Sequence, residues 1–393
     1  MTTLLKPVIV VVALIFTLQG CSRAPDMEST GEPMELAAAM GGDTLGYARA
    51  DGIREFDFPL DYAAHPDYKT EWWYFTGNIF AENGRRFGYE LTLFRSALAP
   101  PDSSESNGKW ATRQLYMGHF SLADPETGTF HAFERFSRGA AGLAGAESPP
   151  FRIWLNDWNM ASVNATDDLF PLRLQAEEDG VAIDLTLEAT KPVVLQGEQG
   201  WDPKGEGAGN ASYYYSFTRM KTEGWVTVPD GRFNVQGQSW KDHEWSTSAL
   251  GPDEIGWDWF ALQLDDGREI MYYQLRRKDG SISPFTGGTL VAKDGSTRHL
   301  TPEDVELTVL DRWTSDVSGA RYPVRWKLTL PGEDLFLEIG AVMPNQELNV
   351  SVRYWEGAVD IAGTTGGESL TGVGYVELTG YDGAVSAEQD PEE

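Results

Sequence analysis

Two aromatic-rich runs, Glu71 to Phe80 (EWWYFTGNIF) and Arg86 to Arg95 (RFGYELTLFR), are separated by a short segment containing Asn83-Gly84. Asn-Gly between two such runs is the strongest short-range hairpin signal, because these residues tolerate the positive φ of a tight turn. In the second run Phe87, Tyr89, Leu91 and Leu93 fall on one face, with the period of two expected of a strand. The grammar returns at Gly256 to Leu264, Asp266-Gly267 and Arg268 to Arg277. Val181 to Ala189 alternates in the same way, and Asp230-Gly231, Asp279-Gly280, Asp294-Gly295 and Pro331-Gly332 add turn signals. No long amphipathic helical period occurs, which argues against helices wrapped around a sheet. The chain reads as all-β.

The halves echo one another. Trp72-Trp73-Tyr74-Phe75 opens a hairpin that ends at Arg95, and Trp257-Asp258-Trp259-Phe260 opens one that ends at Arg276. The spacing predicts two antiparallel β units, with one domain over 51–225 and a second over 226–382. Barrels of this size can hold one small ligand.

The first twenty residues read as an export signal: Lys6, an apolar run from Val8 to Leu18 too short to span a bilayer comfortably, then Leu18-Gln19-Gly20-Cys21. That ending has the form of a lipoprotein lipobox with Cys21 as the lipidated residue. Cys21 is the only cysteine, so the mature chain has no internal disulfide. Several acyl chains anchor a protein stably where one does not. Residues 21–50 read as a flexible tether and 383–393 as an acidic, disordered tail. The expected location is the bacterial cell envelope, lipid-anchored, on the outer membrane facing the periplasm. The net charge of −29 argues against nucleic acid as a partner.

The stretch richest in chemistry is Gln238-Ser-Trp-Lys-Asp-His-Glu-Trp-Ser-Thr-Ser248. Asp242, His243 and Glu244 stand side by side between Trp240 and Trp245, a setting in which desolvation and pairing shift pKa values. On an extended backbone His243 and Trp245 share one face, and Asp242 and Glu244 share the other, facing neighbours or the second barrel. His243→Ala and Trp245→Ala are then expected to weaken ligand binding or activity more than folding. Glu71, beside Trp72 and Trp73, reads either as a pocket carboxylate or as the partner of an arginine such as Arg95. Glu90 and Glu377 lie within strands and face either a barrel interior or solvent, and His119 reads as a satisfied core or surface imidazole rather than a ligand. Five histidines without clustered spacing predict no zinc site, and no cofactor is expected.

Taken together, His65-Pro66, Glu71-Trp72-Trp73-Tyr74-Phe75-Thr76-Gly77, Gly88 to Arg95, Gly118-His119-Phe120, Trp240 to Trp245 and Gly374 to Tyr381 resemble the hydroxyneurosporene synthase (carotenoid hydratase) and AttH-like family. The resemblance runs from about Pro59 to Tyr381. It implies a pair of lipocalin-like antiparallel β-barrels in tandem. Many relatives are called predicted secreted hydrolases, and some accompany ABC-transporter permeases. No G-x-S-x-G or H-E-x-x-H signature supports hydrolysis here.

Carotenoid-hydratase members add water to the terminal double bond of a polyene. For such members the resemblance implies catalytic roles for His243 and Trp245, with Tyr272 or Tyr273 matching a tyrosine on the next hairpin. The aspartate two residues beyond that tyrosine is missing, since Gln274 and Leu275 stand there. Asp242, Glu244 or Asp258 would have to supply the acid, with Glu71, Trp73, Trp240, Trp257 and Asp258 as ligand-binding candidates. Three functions follow as expectations. The first is a lipoprotein binding a lipophilic small molecule or lipid, with an ABC-transporter permease as partner. The second is a hydratase acting on an isoprenoid. The third is a glycan-active protein, since carboxylates beside tryptophans also describe sugar clefts.

Overall fold

The computed structural model describes residues 44–101, 112–247, 250–251 and 253–381, together with a two-residue strand, Met34–Glu35. The lipobox, most of the tether and the acidic tail lie outside the described residues. Among the described residues, no helix is long and apolar enough to cross a membrane.

The Asn-Gly and Asp-Gly signals do form hairpin turns. Gly84 and Gly267 sit at φ +88° and +89°, a region that glycine enters without a Cβ penalty. Thr70–Ala81 pairs with Arg86–Ala97, and Glu254–Leu264 with Glu269–Arg277. These hairpins belong to two separate sheets. The 13-stranded first sheet has a central run Thr129–Arg138, Gln114–Asp124, Arg86–Ala97, Thr70–Ala81, Gly231–Ser246, Ala211–Val228 and Val181–Ala189. The 11-stranded second sheet runs from Thr297–Leu300 through Glu269–Arg277, Glu254–Leu264, Glu368–Leu378 and Val352–Thr365 to Glu306–Thr314. Named pairings are antiparallel except that of Met34–Glu35, which lies parallel to Val352–Thr365. The long hairpin Ala211–Val228 and Gly231–Ser246 lies wholly in the first sheet, so the chain changes sheet between Ser246 and Glu254. Residues 225 and 226 fall inside that hairpin.

Each sheet wraps its own apolar core, giving the all-β, two-barrel architecture expected. The first core includes Trp73, Phe75, Tyr89, Leu91, Tyr215 and Trp245. The second includes Phe260, Tyr272, Trp326, Leu337, Trp355 and Val376. Burying side chains of this size contributes about 1.5–3 kcal/mol each.

The outward faces of the two sheets pack on one another, and this contact positions the chemistry. Tyr74, Tyr214 and Trp240 of the first sheet meet Trp259, Met271 and Tyr273 of the second. Phe94 meets Leu348, Val352 and Tyr354. At Gly88 the sheets come so close that a Cβ would lie 2.5 Å from the Cβ of Ala358. Asn78 Nδ2 donates across the seam to the Gly374 carbonyl at 2.9 Å.

Candidate functional site

The period of two divides the Trp240 to Trp245 motif between two environments. Lys241, His243 and Trp245 point into the first barrel, while Trp240, Asp242 and Glu244 point into the seam. Inside the barrel, His243 Nε2 lies 2.8 Å from Glu71 Oε1 and its Nδ1 lies 2.9 Å from the Tyr215 hydroxyl. His65 Nδ1 reaches the same Glu71 oxygen at 2.7 Å, and its Nε2 reaches Asp61 Oδ1 at 3.0 Å. Arg95 Nε donates to Glu71 Oε2 at 2.7 Å.

Proton positions follow from these partners. Burial opposes charge on Glu71, but Arg95 and His65 together hold its carboxyl well below the usual range. Asp61 is likewise held down, at about 2, by His65 and Arg54 against burial. His65 faces a carboxylate at each nitrogen and is therefore doubly protonated, its pKa raised against the effect of burial by Glu71 and Asp61. His243 is driven down to about 3 by burial and is neutral. It must carry its proton on Nε2, toward Glu71, which leaves Nδ1 to accept the Tyr215 O–H. The rings are fixed as well: His65 stacks on Trp245 at 3.7 Å and His243 on Trp73 at 4.8 Å. Ligand atoms of His65, Glu71 and His243 converge within 4.8 Å and are the described residues that could hold a metal ion. Each is already engaged in the hydrogen bonds above, and a metal would have to replace those protons. The donor set reads as a completed network that ties the segment 57–68 to the barrel.

The seam is different, because its polar groups are left incomplete. Glu90 is fully buried, and neither of its carboxyl oxygens has a hydrogen-bond partner, although the Thr92 and Ser121 hydroxyls flank it. The hydroxyls of Thr92, Ser121 and Tyr375 and Oε1 of Glu356 also lack partners. Buried polar groups are normally satisfied, so such a concentration requires a reason. Glu356 and Glu377 stand directly opposite each other on neighbouring strands. The Tyr74 hydroxyl donates to Glu356 Oε2 at 2.9 Å, and Trp257 Nε1 donates to Glu377 Oε1 at 2.5 Å. Burial pushes Glu90 and Glu377 up to about 7 and Glu356 well above the ordinary carboxyl range, the last reinforced by the other two acids. Around this ring lie Trp72, Phe94, Met117, Tyr354 and Trp257, and Trp72, Met117, Trp257 and Glu377 keep partial contact with solvent. The arrangement is a cluster of three buried acids with raised pKa values, ringed by aromatic and apolar side chains.

The residues singled out from sequence therefore separate. Glu71, Trp73, His243 and Trp245 lie in the first barrel's interior. Tyr272 is in the second core, and Asp258 is bound there to Arg276 and the Tyr381 hydroxyl. Asp242, Glu244, Trp240, Tyr273 and Trp257 border the seam. Asp242 accepts from Trp240 Nε1 at 2.8 Å and from Ser216, and burial raises it to about 7. Glu244 lies 3.5 Å from Lys204, and the Tyr273 hydroxyl donates to Asp202. Glu90 and Glu377 face neither a barrel interior nor open solvent but the contact between sheets. His119 lies there too, with Nδ1 2.7 Å from the Tyr354 hydroxyl. Glu356 and Ser121 lay in no recognised motif, and Tyr74 and Tyr375 lay in motifs without being singled out. Their one signal was a polar or aromatic residue recurring on the second face of strands whose first face is apolar.

Comparison with known proteins gives a consistent picture. The sequence profile of the AttH-like family matches residues 49–381. Kievitone hydratase of Fusarium solani subsp. phaseoli is 23% identical over 59% of this chain and 66% of that protein, so the chain matches slightly under two thirds of its length. Dehydratase asqC of Emericella nidulans is 23% identical over 72% of this chain and 87% of that protein. A crystal structure described as AttH, from Nitrosomonas europaea, superposes with a TM-score of 0.73 at 32% identity, covering 85% of this chain and 99% of that one. With the profile spanning nearly all of both barrels, this chain belongs to the AttH-like family.

Proposed function

We propose that this protein adds water to, or removes it from, a lipophilic small molecule bound in the seam between its barrels. The observation that carries the reading is Glu90, fully buried with both oxygens unpartnered and its pKa raised to about 7. A carboxylic acid held neutral near pH 7 donates a proton to an alkene carbon or to a departing hydroxyl, as general acids of raised pKa do. Glu356 and Glu377, opposite one another, hold or accept a proton from the water. The aromatic rings of Trp72, Trp257 and Tyr354 exclude bulk water and favour developing positive charge. Kinship with a hydratase and a dehydratase supports this class of chemistry. The lipobox at Leu18 to Cys21 supports an envelope location with a lipid anchor, and with it a second reading: binding without chemistry, the ligand passing to or from an ABC-transporter permease.

The test uses chain from Ser22 onward, a lipophilic extract of the native host and 18O-labelled water. Addition or reversible elimination transfers the label to a hydroxyl of an extract component, and Glu90→Gln abolishes the transfer. Extract components that bind but never acquire label would replace the enzyme reading with the carrier one.

A further inference from the structure

Glu90 and Glu377 differ in one respect that bears on turnover. Glu377 keeps partial contact with solvent, whereas Glu90 is completely buried, as are Thr92 and Ser121 beside it. An acid that gives up its proton in such a place needs a route by which another reaches it, because the anion left behind is costly there. His119, of the Gly118-His119-Phe120 motif, stands on such a route. It lies directly opposite Thr92 on the neighbouring strand, and Ser121, next along the same face, lies opposite Glu90. The His119 ring is fully buried and sits edge-on to Phe94 at 5.3 Å. Both of its nitrogens are engaged: Nε2 lies 3.2 Å from Glu134 Oε1, and Nδ1 lies 2.7 Å from the Tyr354 hydroxyl.

The two ends of this chain of groups face different surroundings. Glu134 reaches the surface, its side chain 14% exposed, and its Oε1 also accepts from the hydroxyl of exposed Ser351 at 2.5 Å. Tyr354 is buried among the aromatic groups around the acids, on the same face of its strand as Glu356. Burial, and after it the charge of Glu90, hold the Tyr354 hydroxyl well above the ordinary tyrosine range. The group therefore stays an O–H, able to accept a proton on one side while it releases one on the other. Imidazole has the same property, one nitrogen taking a proton as the other gives one up.

We propose that Glu134, His119 and Tyr354 form a proton path that returns a proton from bulk water to Glu90 after each turnover, with His119 as its positioning residue. The path rests on the reading of Glu90 as the acid of a hydration or dehydration. A proton from water binds the Glu134 carboxylate and passes to His119 Nε2. The proton on Nδ1 leaves for the Tyr354 oxygen, and the hydroxyl's own proton moves on to the Glu90 carboxylate, beside the Thr92 and Ser121 hydroxyls. Each intermediate group takes one proton and gives one, so the net change is one proton gained by Glu90. Glu377 exchanges with solvent at its own partly exposed edge.

The test is time-resolved infrared spectroscopy after a jump from about pH 9 to about pH 5, a span that crosses the Glu90 value of about 7. The signal is the carboxylic-acid carbonyl band that Glu90→Gln removes. His119→Phe and Tyr354→Phe each keep a ring in place and break the path at a different point. Both should slow the rise of the band roughly tenfold or more, while its final amplitude stays that of wild type. A merely structural part for either residue would move the amplitude or the melting temperature and leave the rate alone. Wild-type rates in both folded variants would overturn the path, and so would the absence of any band that depends on Glu90. Transfer of 18O label is read in parallel. No transfer in wild type, with a band rise that depends on His119, removes the chemistry and keeps the path to Glu90. Normal transfer with wild-type rates in both variants removes the path alone.

Discussion

Glu90→Gln separates the stability of the seam from its chemistry. The substitution keeps size and shape but removes the ionisable group. In the folded chain the carboxyl resists ionisation until about pH 7, against an ordinary glutamate value of 4.5. The unfolded chain ionises it freely, so the native state binds more protons between these values and stability falls as pH rises through them. At 1.36 kcal/mol per pKa unit, the gap corresponds to about 3 kcal/mol lost by pH 8. Glu90→Gln carries no such loss. Chemical denaturation from pH 4 to 9 should therefore find the variant close to wild type near pH 4 and more stable by about 2–3 kcal/mol at pH 8. The remaining slope in the variant belongs to the other buried acids with raised pKa values, Glu356, Glu377 and Asp242 among them. Label transfer from 18O water should disappear in the same stabilised protein, a trade of stability for function. Parallel stability curves at every pH would refute the reasoning, because they would mean that Glu90 is not held protonated in the fold.

The first barrel should respond in the opposite sense. Glu71 is stabilised as an anion, so Glu71→Gln should cost about 3–5 kcal/mol at pH 7, leaving Arg95 without its carboxylate and His65 with Asp61 alone, with the difference shrinking as pH falls below the carboxyl range; denaturant melts check this. Trp245→Ala should cost about 3–5 kcal/mol by cavity formation, while the surviving folded fraction binds a lipophilic probe at the seam as wild type does. This differs from the expectation for His243 and Trp245 drawn from sequence, because both side chains are fully buried in the packed first core, where both ring nitrogens of His243 are hydrogen-bonded. A linear carotene with a free ψ-end should yield little or no hydroxylated product by chromatography, since Gln274 and Leu275 stand where the carotenoid-hydratase pattern has aspartate. Cys21→Ser should abolish incorporation of labelled palmitate in the native host, and absence of label in the wild type would remove the lipoprotein assignment.

The strand alternation that made the fold legible also set the limit on reading the site. Period two assigned Phe87, Tyr89, Leu91 and Leu93 to one face, and the structure buries all four in the first core. It also separated His243 and Trp245 from Asp242 and Glu244. These are local consequences of a pleated backbone and need no knowledge of what lies beyond the strand. Glu71 was left between a pocket role and pairing with Arg95, and the structure gives it Arg95 and two histidines at once.

What alternation cannot say is what covers the second face of a sheet. Glu90, Glu356, Tyr375 and Glu377 occupy positions that in a lone barrel would meet water, and there a glutamate is ordinary. Residues 90 and 356 come together only because two sheets made by distant parts of the chain pack back to back. That contact removes the solvent that would ionise the acids, turning unremarkable surface carboxyls into acids of raised pKa. Fold class and facing were thus written in the sequence through local sterics and hydrophobic period. The acidity of the site was decided by tertiary structure alone, because desolvation belongs to the whole environment of a group and not to its neighbours in the chain.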